Sequence, residues 1–136
     1  MKDGFLKVGV ASVDVRVADP AYNKEKIVEI IEQAARSGAK LLVFPELVIT
    51  AYTCGDLFLQ KPLLDEAKRQ LLRIAEETTG LDMVIVVGAP LVVNHKLYNC
   101  GVFLQNGKIL GVVPSIICRI TLNFMKRGIL HRERKK

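Results

Sequence analysis

The sequence predicts an α/β fold. Three observations carry that expectation. Short apolar runs at residues 6–13, 40–44 and 83–87 have the composition of strands. Two intervening segments repeat apolar residues at helical spacing. The resulting order is strand, helix, strand, helix, strand, then a hairpin, which describes a sheet covered by helices on at least one face.

Leu6-Lys7-Val8-Gly9-Val10-Ala11-Ser12-Val13 carries apolar residues at alternate positions, the period of a strand. Asp19-Pro20 marks a turn, and Asn23 is the expected helix cap. Ile27, Ile30, Ile31, Ala34 and Ala35 then recur on one helical face, with Lys24, Lys26, Glu29 and Glu32 between them, until Gly38 ends the helix. Leu41-Leu42-Val43-Phe44 is continuously apolar, as expected of a strand buried on both faces. Residues 45–59 form a long connection containing Gly55 and Asp56. The second helix follows Pro62, with Leu64, Ala67, Leu71, Ile74 and Ala75 on one face. The third apolar strand, 83–87, is expected to break at Gly88-Ala89-Pro90. Two more strands are expected at 97–104 and 109–113, joined by the hairpin signal Asn106-Gly107. Asn94-His95-Lys96 reads as another hairpin turn.

A chain of 136 residues is expected to form one domain, and a composition that is 50% hydrophobic supplies a sizeable core. No apolar run is long enough to span a membrane. Met1-Lys2-Asp3-Gly4 lacks the apolar stretch of a secretory signal, so none is expected. Cys54, Cys100 and Cys118 form no C-x-x-C pair, so reduced thiols and a cytoplasmic location are expected. The net charge of +6 invites a search for nucleic acid, but residues 1–113 hold 13 basic and 13 acidic side chains. The excess lies in residues 114–136, where seven basic side chains face only Glu133, so the main body gives no electrostatic reason to bind nucleic acid.

Glu46 is the first candidate for chemistry. It leaves a buried strand directly after Pro45, which restricts the backbone. A carboxylate in such a place is poorly solvated and better able to accept a proton, the property a general base needs. Position alone also allows an ordinary solvated loop carboxylate. His95 and His131 lack metal-ligand spacing, and no glycine-rich phosphate loop is present.

Phe44-Pro45-Glu46-Leu47, followed by Tyr52-Thr53-Cys54-Gly55-Asp56-Leu57, resembles the first signature of the nitrilase, or carbon–nitrogen hydrolase, superfamily. More narrowly it resembles the glutaminase domain of glutamine-dependent NAD synthetases. Gly88-Ala89-Pro90-Leu91, Leu97-Tyr98-Asn99-Cys100, Asn106-Gly107-Lys108-Ile109-Leu110-Gly111 and Val112-Val113-Pro114 agree with it in kind and order, so the likeness covers residues 5–114. It implies a partial α-β-β-α sandwich of the nitrilase type. It also implies a Glu, Lys and Cys set: the Glu a general base, the Lys an oxyanion holder, the Cys a nucleophile toward the glutamine amide. Glu46 corresponds to the base, and Tyr52 to a pocket residue facing glutamine, although a core tyrosine is the competing reading. Cys54 matches a structural position of the family rather than the nucleophile. Cys100 reads as a strand residue on a buried face, where a free cysteine usually behaves as a small hydrophobe, and Cys118 lies past the end of the likeness.

The likeness ends after Pro114. The family continues with its lysine, whereas this chain has Ser115. Restoring one base before the Ser115 codon, with suitable synonymous codons, re-frames residues 115–127 into the family pattern, lysine included. A frameshift is therefore expected, with a divergent C-terminal tail as the competing reading, dividing the chain into a glutaminase portion (1–114) and an aberrant, basic, disordered tail (115–136). The chain is then expected to be a fragment of the glutamine amidohydrolase that supplies ammonia for ATP-dependent amidation of deamido-NAD, itself inactive because Lys and Cys are absent. ATP and Mg²⁺ are expected only in the synthetase domain, no cofactor in this fragment, and a homo-oligomer in the full-length family. The alternatives are an amidase of other specificity, a non-catalytic binding subunit, and, more weakly, a nucleic-acid binder through the tail.

Overall fold

The computed structural model describes residues 4–51 and 60–119, with residues 115–119 in backbone only. Five strands form a single sheet in the order β1 (Val8–Val10), β2 (Leu41–Val43), β3 (Val84–Val93), β4 (Lys96–Gln105), β5 (Lys108–Arg119). The first three run parallel, and β3, β4 and β5 form an antiparallel meander. Helix α1 (Pro20–Arg36) joins β1 to β2, and α2 (Lys61–Glu77) joins β2 to β3. This is the α/β order expected from the sequence.

Both helices pack on one face of the sheet. Ile27 and Ile31 of α1 and Ala67, Leu71, Ile74 and Ala75 of α2 form one buried cluster with Leu42, Ile85, Val87, Val102 and Leu104 of the strands. The sheet register places those five strand residues on a common face. The opposite face carries Val8, Val10, Leu41, Val43, Val84, Val86, Phe103 and Val113. Of these, Val8, Val10 and Val113 are exposed and the others half-buried. β2 and β3 are thus covered on one face, not on both as their apolar runs predict. No second layer lies on that face among the described residues. None of their helices is long and apolar enough to cross a membrane.

The start of α1 differs from expectation. Asp19, not Asn23, caps it: its carboxylate accepts from the Tyr22 backbone N–H at 3.1 Å, and Pro20 supplies a pre-set helical φ. Asn23 lies one turn inside, fully buried. Its Nδ2 donates to the Arg16 and Ile49 carbonyls, each at 2.8 Å, and its Oδ1 accepts from the Arg16 N–H at 2.7 Å. A buried amide with three partners ties the chain before α1 to the chain after β2. Gly38 does end the helix: at φ +86 it takes the left-handed turn, with Gly38 N–H on Ala35 O and Ala39 N–H on Ala34 O.

β3 does not break at Gly88-Ala89-Pro90 but runs on to Val93, paired with β4 throughout. Its pairing with β2 ends at Val86. Pro90 therefore lies where one edge of β3 is free of a neighbouring strand, the setting in which sheets accept proline. Both hairpin turns are as expected. Asn94 and His95 (φ 53 and 66) and Asn106 and Gly107 (φ 49 and 81) all adopt positive φ, as two-residue turns of the primed type require. The second turn docks on the end of α2, through Gly107 N–H to Thr78 Oγ1 and Gly80 N–H to Asn106 Oδ1, both 2.8 Å.

Candidate active site

Pro45 and Glu46 leave the C-terminal end of β2, the end at which parallel α/β sheets place their ligands. The Phe44 N–H continues the ladder to the Val86 carbonyl at 2.9 Å. The chain then turns sharply over residues 46–50. Thr50 N–H donates to Leu47 O at 3.2 Å, and Leu47 itself sits at φ 55. Three anchors hold this turn down: Asn23 Nδ2 on Ile49 O, Ile49 N–H on Gly88 O at 3.4 Å, and Ala18 N–H on Thr50 O at 2.9 Å. Leu47 and Ile49 are buried beneath it.

Gly88 is what lets the turn come so close. A Cβ there would lie 2.4 Å from the Leu47 nitrogen and 2.7 Å from both the Glu46 Cα and the Pro45 carbonyl oxygen. Any side chain at 88 would displace the backbone that carries Glu46.

The Glu46 carboxylate accepts a short hydrogen bond on Oε2 from Asn99 Nδ2. Asn99 is buried on β4, opposite Pro90 and on the same sheet face as Val86 and Gly88. Glu46 and Asn99, with Val86, Val113 and Pro114, line a cleft of about 240 Å³ on that face. Glu46 itself is exposed, contrary to the poor solvation expected of it, because the turn carries it over the uncovered face of the sheet. No lysine lines the cleft among the described residues.

Tyr52 and Cys54 lie outside the described residues, as does the side chain of Cys118. Cys100 is almost fully buried, its Sγ 3.7 Å from the Tyr98 carbonyl, and burial pushes its thiol above the ordinary value. A thiol so placed is a poor nucleophile. Asn99 was not singled out from the sequence beyond its place in Leu97-Tyr98-Asn99-Cys100. The available signal was a carboxamide in an otherwise apolar strand, which must find a partner when buried. No group of three or more His, Cys, Asp or Glu side chains capable of holding a metal occurs among the described residues.

Comparison with known proteins bears on the family and the fold. The chain is 39% identical over 112 residues to the glutamine-dependent NAD(+) synthetase of Mycobacterium tuberculosis, covering 82% of this chain and 16% of the relative. It is 31% identical to the synthetase of Aquifex aeolicus, covering 79% and 19%. It thus spans less than a fifth of the length of these relatives. Among solved structures, a glutamine-dependent NAD(+) synthetase from Cytophaga hutchinsonii superposes with a TM-score of 0.76 at 31% identity, covering 81% of this chain and 19% of that one. A nitrilase-superfamily amidase from Nesterenkonia superposes at 0.70 with 20% identity, covering 86% and 45%, a likeness of fold alone. The carbon-nitrogen hydrolase family model matches residues 7–122, a span that holds the Glu46 turn, Gly88 and Asn99 and runs beyond Pro114. Fold and match agree, and the chain belongs to the carbon-nitrogen hydrolase family.

Proposed function

We propose that this chain carries the amino-terminal portion of a glutamine amidohydrolase unit of the kind found in glutamine-dependent NAD(+) synthetases, with Glu46 as its general base. The observation that carries this reading is the placement of Glu46. It stands at the C-terminal end of a parallel strand, on a turn anchored at three points, beside an open cleft, with one carboxylate oxygen held by Asn99. Such a carboxylate takes the proton of an attacking thiol. The thiolate adds to the amide carbon of glutamine, and the proton then goes to the departing ammonia. Tyr52 is assigned to the glutamine pocket. The nucleophile and the oxyanion-holding lysine are expected from sequence beyond residue 114 of the family unit, so residues 1–136 alone should be inactive. ATP and Mg²⁺ belong to the synthetase portion, which receives the ammonia in a cytoplasmic homo-oligomer.

Two measurements test this reading. Purified 1–136 should release no ammonia from glutamine above background, and release abolished by Cys54→Ala would show the nucleophile misplaced. Residues 7–114 should also be grafted in place of the corresponding segment of the mycobacterial synthetase. The chimera should hydrolyse glutamine, and Glu46→Gln within it should lower kcat by about 10²–10⁴. A chimera that is active and indifferent to Glu46→Gln would overturn the proposal.

A further inference from the structure

Glu46 has a backbone that is tightly held and a side chain that is not. Pro45 and the close approach at Gly88 locate its Cα, but the residue is exposed, and an exposed glutamate samples several rotamers. Among the described residues one side chain restrains the carboxylate, and it comes from 53 positions away on another strand: Asn99, through Nδ2 to Oε2. Asn99 is itself 5% exposed and is paired with Pro90 of β3, at the point where the β4–β5 register shifts between Tyr98 and Cys100, so its position is set by β3 and by its burial. The end of β2, Gly88 on β3 and Asn99 on β4 therefore converge on one carboxylate.

The chemistry of that contact distinguishes the two oxygens. A carboxamide nitrogen only donates, so the oxygen facing it must act as an acceptor. Protonating Oε2 would occupy one of its lone pairs and weaken it as an acceptor for the amide, whereas Oε1 carries no such contact among the described residues. We infer that Asn99 is a positioning residue that holds Oε2 as a permanent acceptor and leaves Oε1 as the atom that takes and returns the proton. The role given to Oε1 rests on Glu46 being the general base proposed above. The contact that positions it does not.

The test uses the full chain, isotopically labelled and examined by magic-angle-spinning NMR, which tolerates self-association. The probe is the Asn99 side-chain amide. In the wild type one Nδ2 proton should be displaced downfield, show a through-space contact to the Glu46 Cδ, and move toward the free-amide position when the sample is acidified enough to protonate carboxylates. Glu46→Gln, a change at an exposed side chain, should abolish the pH dependence while leaving the backbone spectrum intact. A merely structural Asn99 would give an amide signal that is independent of pH and unmoved by Glu46→Gln, and that result would overturn the inference. Neither glutamine nor turnover enters the measurement. An inert chimera with a coupled Asn99 signal would sink the glutaminase reading alone, and an active chimera with an uncoupled signal would sink only the positioning role.

Discussion

Gly88→Ala is the substitution that examines the site most directly. The added Cβ would meet backbone atoms only: Leu47 N at 2.4 Å, Glu46 Cα at 2.7 Å and Pro45 O at 2.7 Å. Ordinary contact begins near 3.4 Å, so the Pro45–Leu47 backbone must retreat by about 1 Å. Retreat pulls on Ile49 N–H, which bonds to Gly88 O, and on Leu47 and Ile49, which are 1% and 0% exposed. Overpacking of this kind costs about 1–3 kcal/mol, and a weakened buried hydrogen bond adds about 1 kcal/mol. The expected loss is about 2–4 kcal/mol.

The assay is urea unfolding followed by circular dichroism, with protein concentration held constant. Two controls lie in the same sheet. A Cβ at Gly101 would meet only Val86 Cγ1 at 3.7 Å, and one at Gly111 would meet nothing within 4 Å. Gly101→Ala and Gly111→Ala should therefore each change stability by less than about 1 kcal/mol. If Gly88→Ala behaves like the controls, the close approach of the Glu46 turn to β3 is not a real constraint, and the account of how Glu46 is located fails with it.

Three further outcomes are expected. Cys100 should resist a disulfide reagent at pH 8 in the folded chain and react at once in urea. Its thiol is raised by burial, so the stability gained by keeping it protonated is present below about pH 8.5, the unfolded value, and lost as pH rises toward the folded one; rapid native labelling assigned to Cys100 by mass spectrometry would contradict this. His95→Gly should stabilise the chain by about 0.5–1 kcal/mol in the same urea assay, because His95 sits at φ 66 with no glycine to relieve it. The face bearing Val8, Val10 and Val113, which are 56%, 85% and 57% exposed, should drive self-association; sedimentation should show oligomers that Val10→Lys with Val113→Lys disperses, and a monodisperse wild-type monomer would refute it.

Element order was legible because the helices and strands differ in period. Ile27, Ile31, Leu71 and Ile74 recur at helical spacing and are all buried. Boundaries were less legible, and for local reasons. Asn23 has a capping residue's chemistry, but its side chain is used across 26 residues to hold Ile49, a distance invisible to local patterns. Gly88-Ala89-Pro90 has a breaker's composition, yet β3 passes through it because β2 has already ended. The place of Glu46 just after a strand was legible in the sequence, and its contact with Asn99 was not. The contact to Asn99 depends on a sheet register that pairs β3 with β4, and no spacing within either segment encodes it.

The exposure of Glu46 and the exposure of Val10 and Val113 have one cause. All three residues lie toward the sheet face opposite the helices, and no second layer covers that face among the described residues. The same face offers aliphatic walls to the cleft in Val86 and Val113. A layer packed there would bury those walls and, in the same step, take water away from the carboxylate between them. Water exclusion is what makes a carboxylate a competent base and strengthens each electrostatic contact around it. Covering the sheet and desolvating the Glu46 carboxylate would therefore be one event in this architecture. The turn at Gly88 and the hydrogen bond from Asn99 set where the carboxylate stands without any cover. Among the described residues these two devices are present without a covering layer, and the Glu46 carboxylate is placed but solvated.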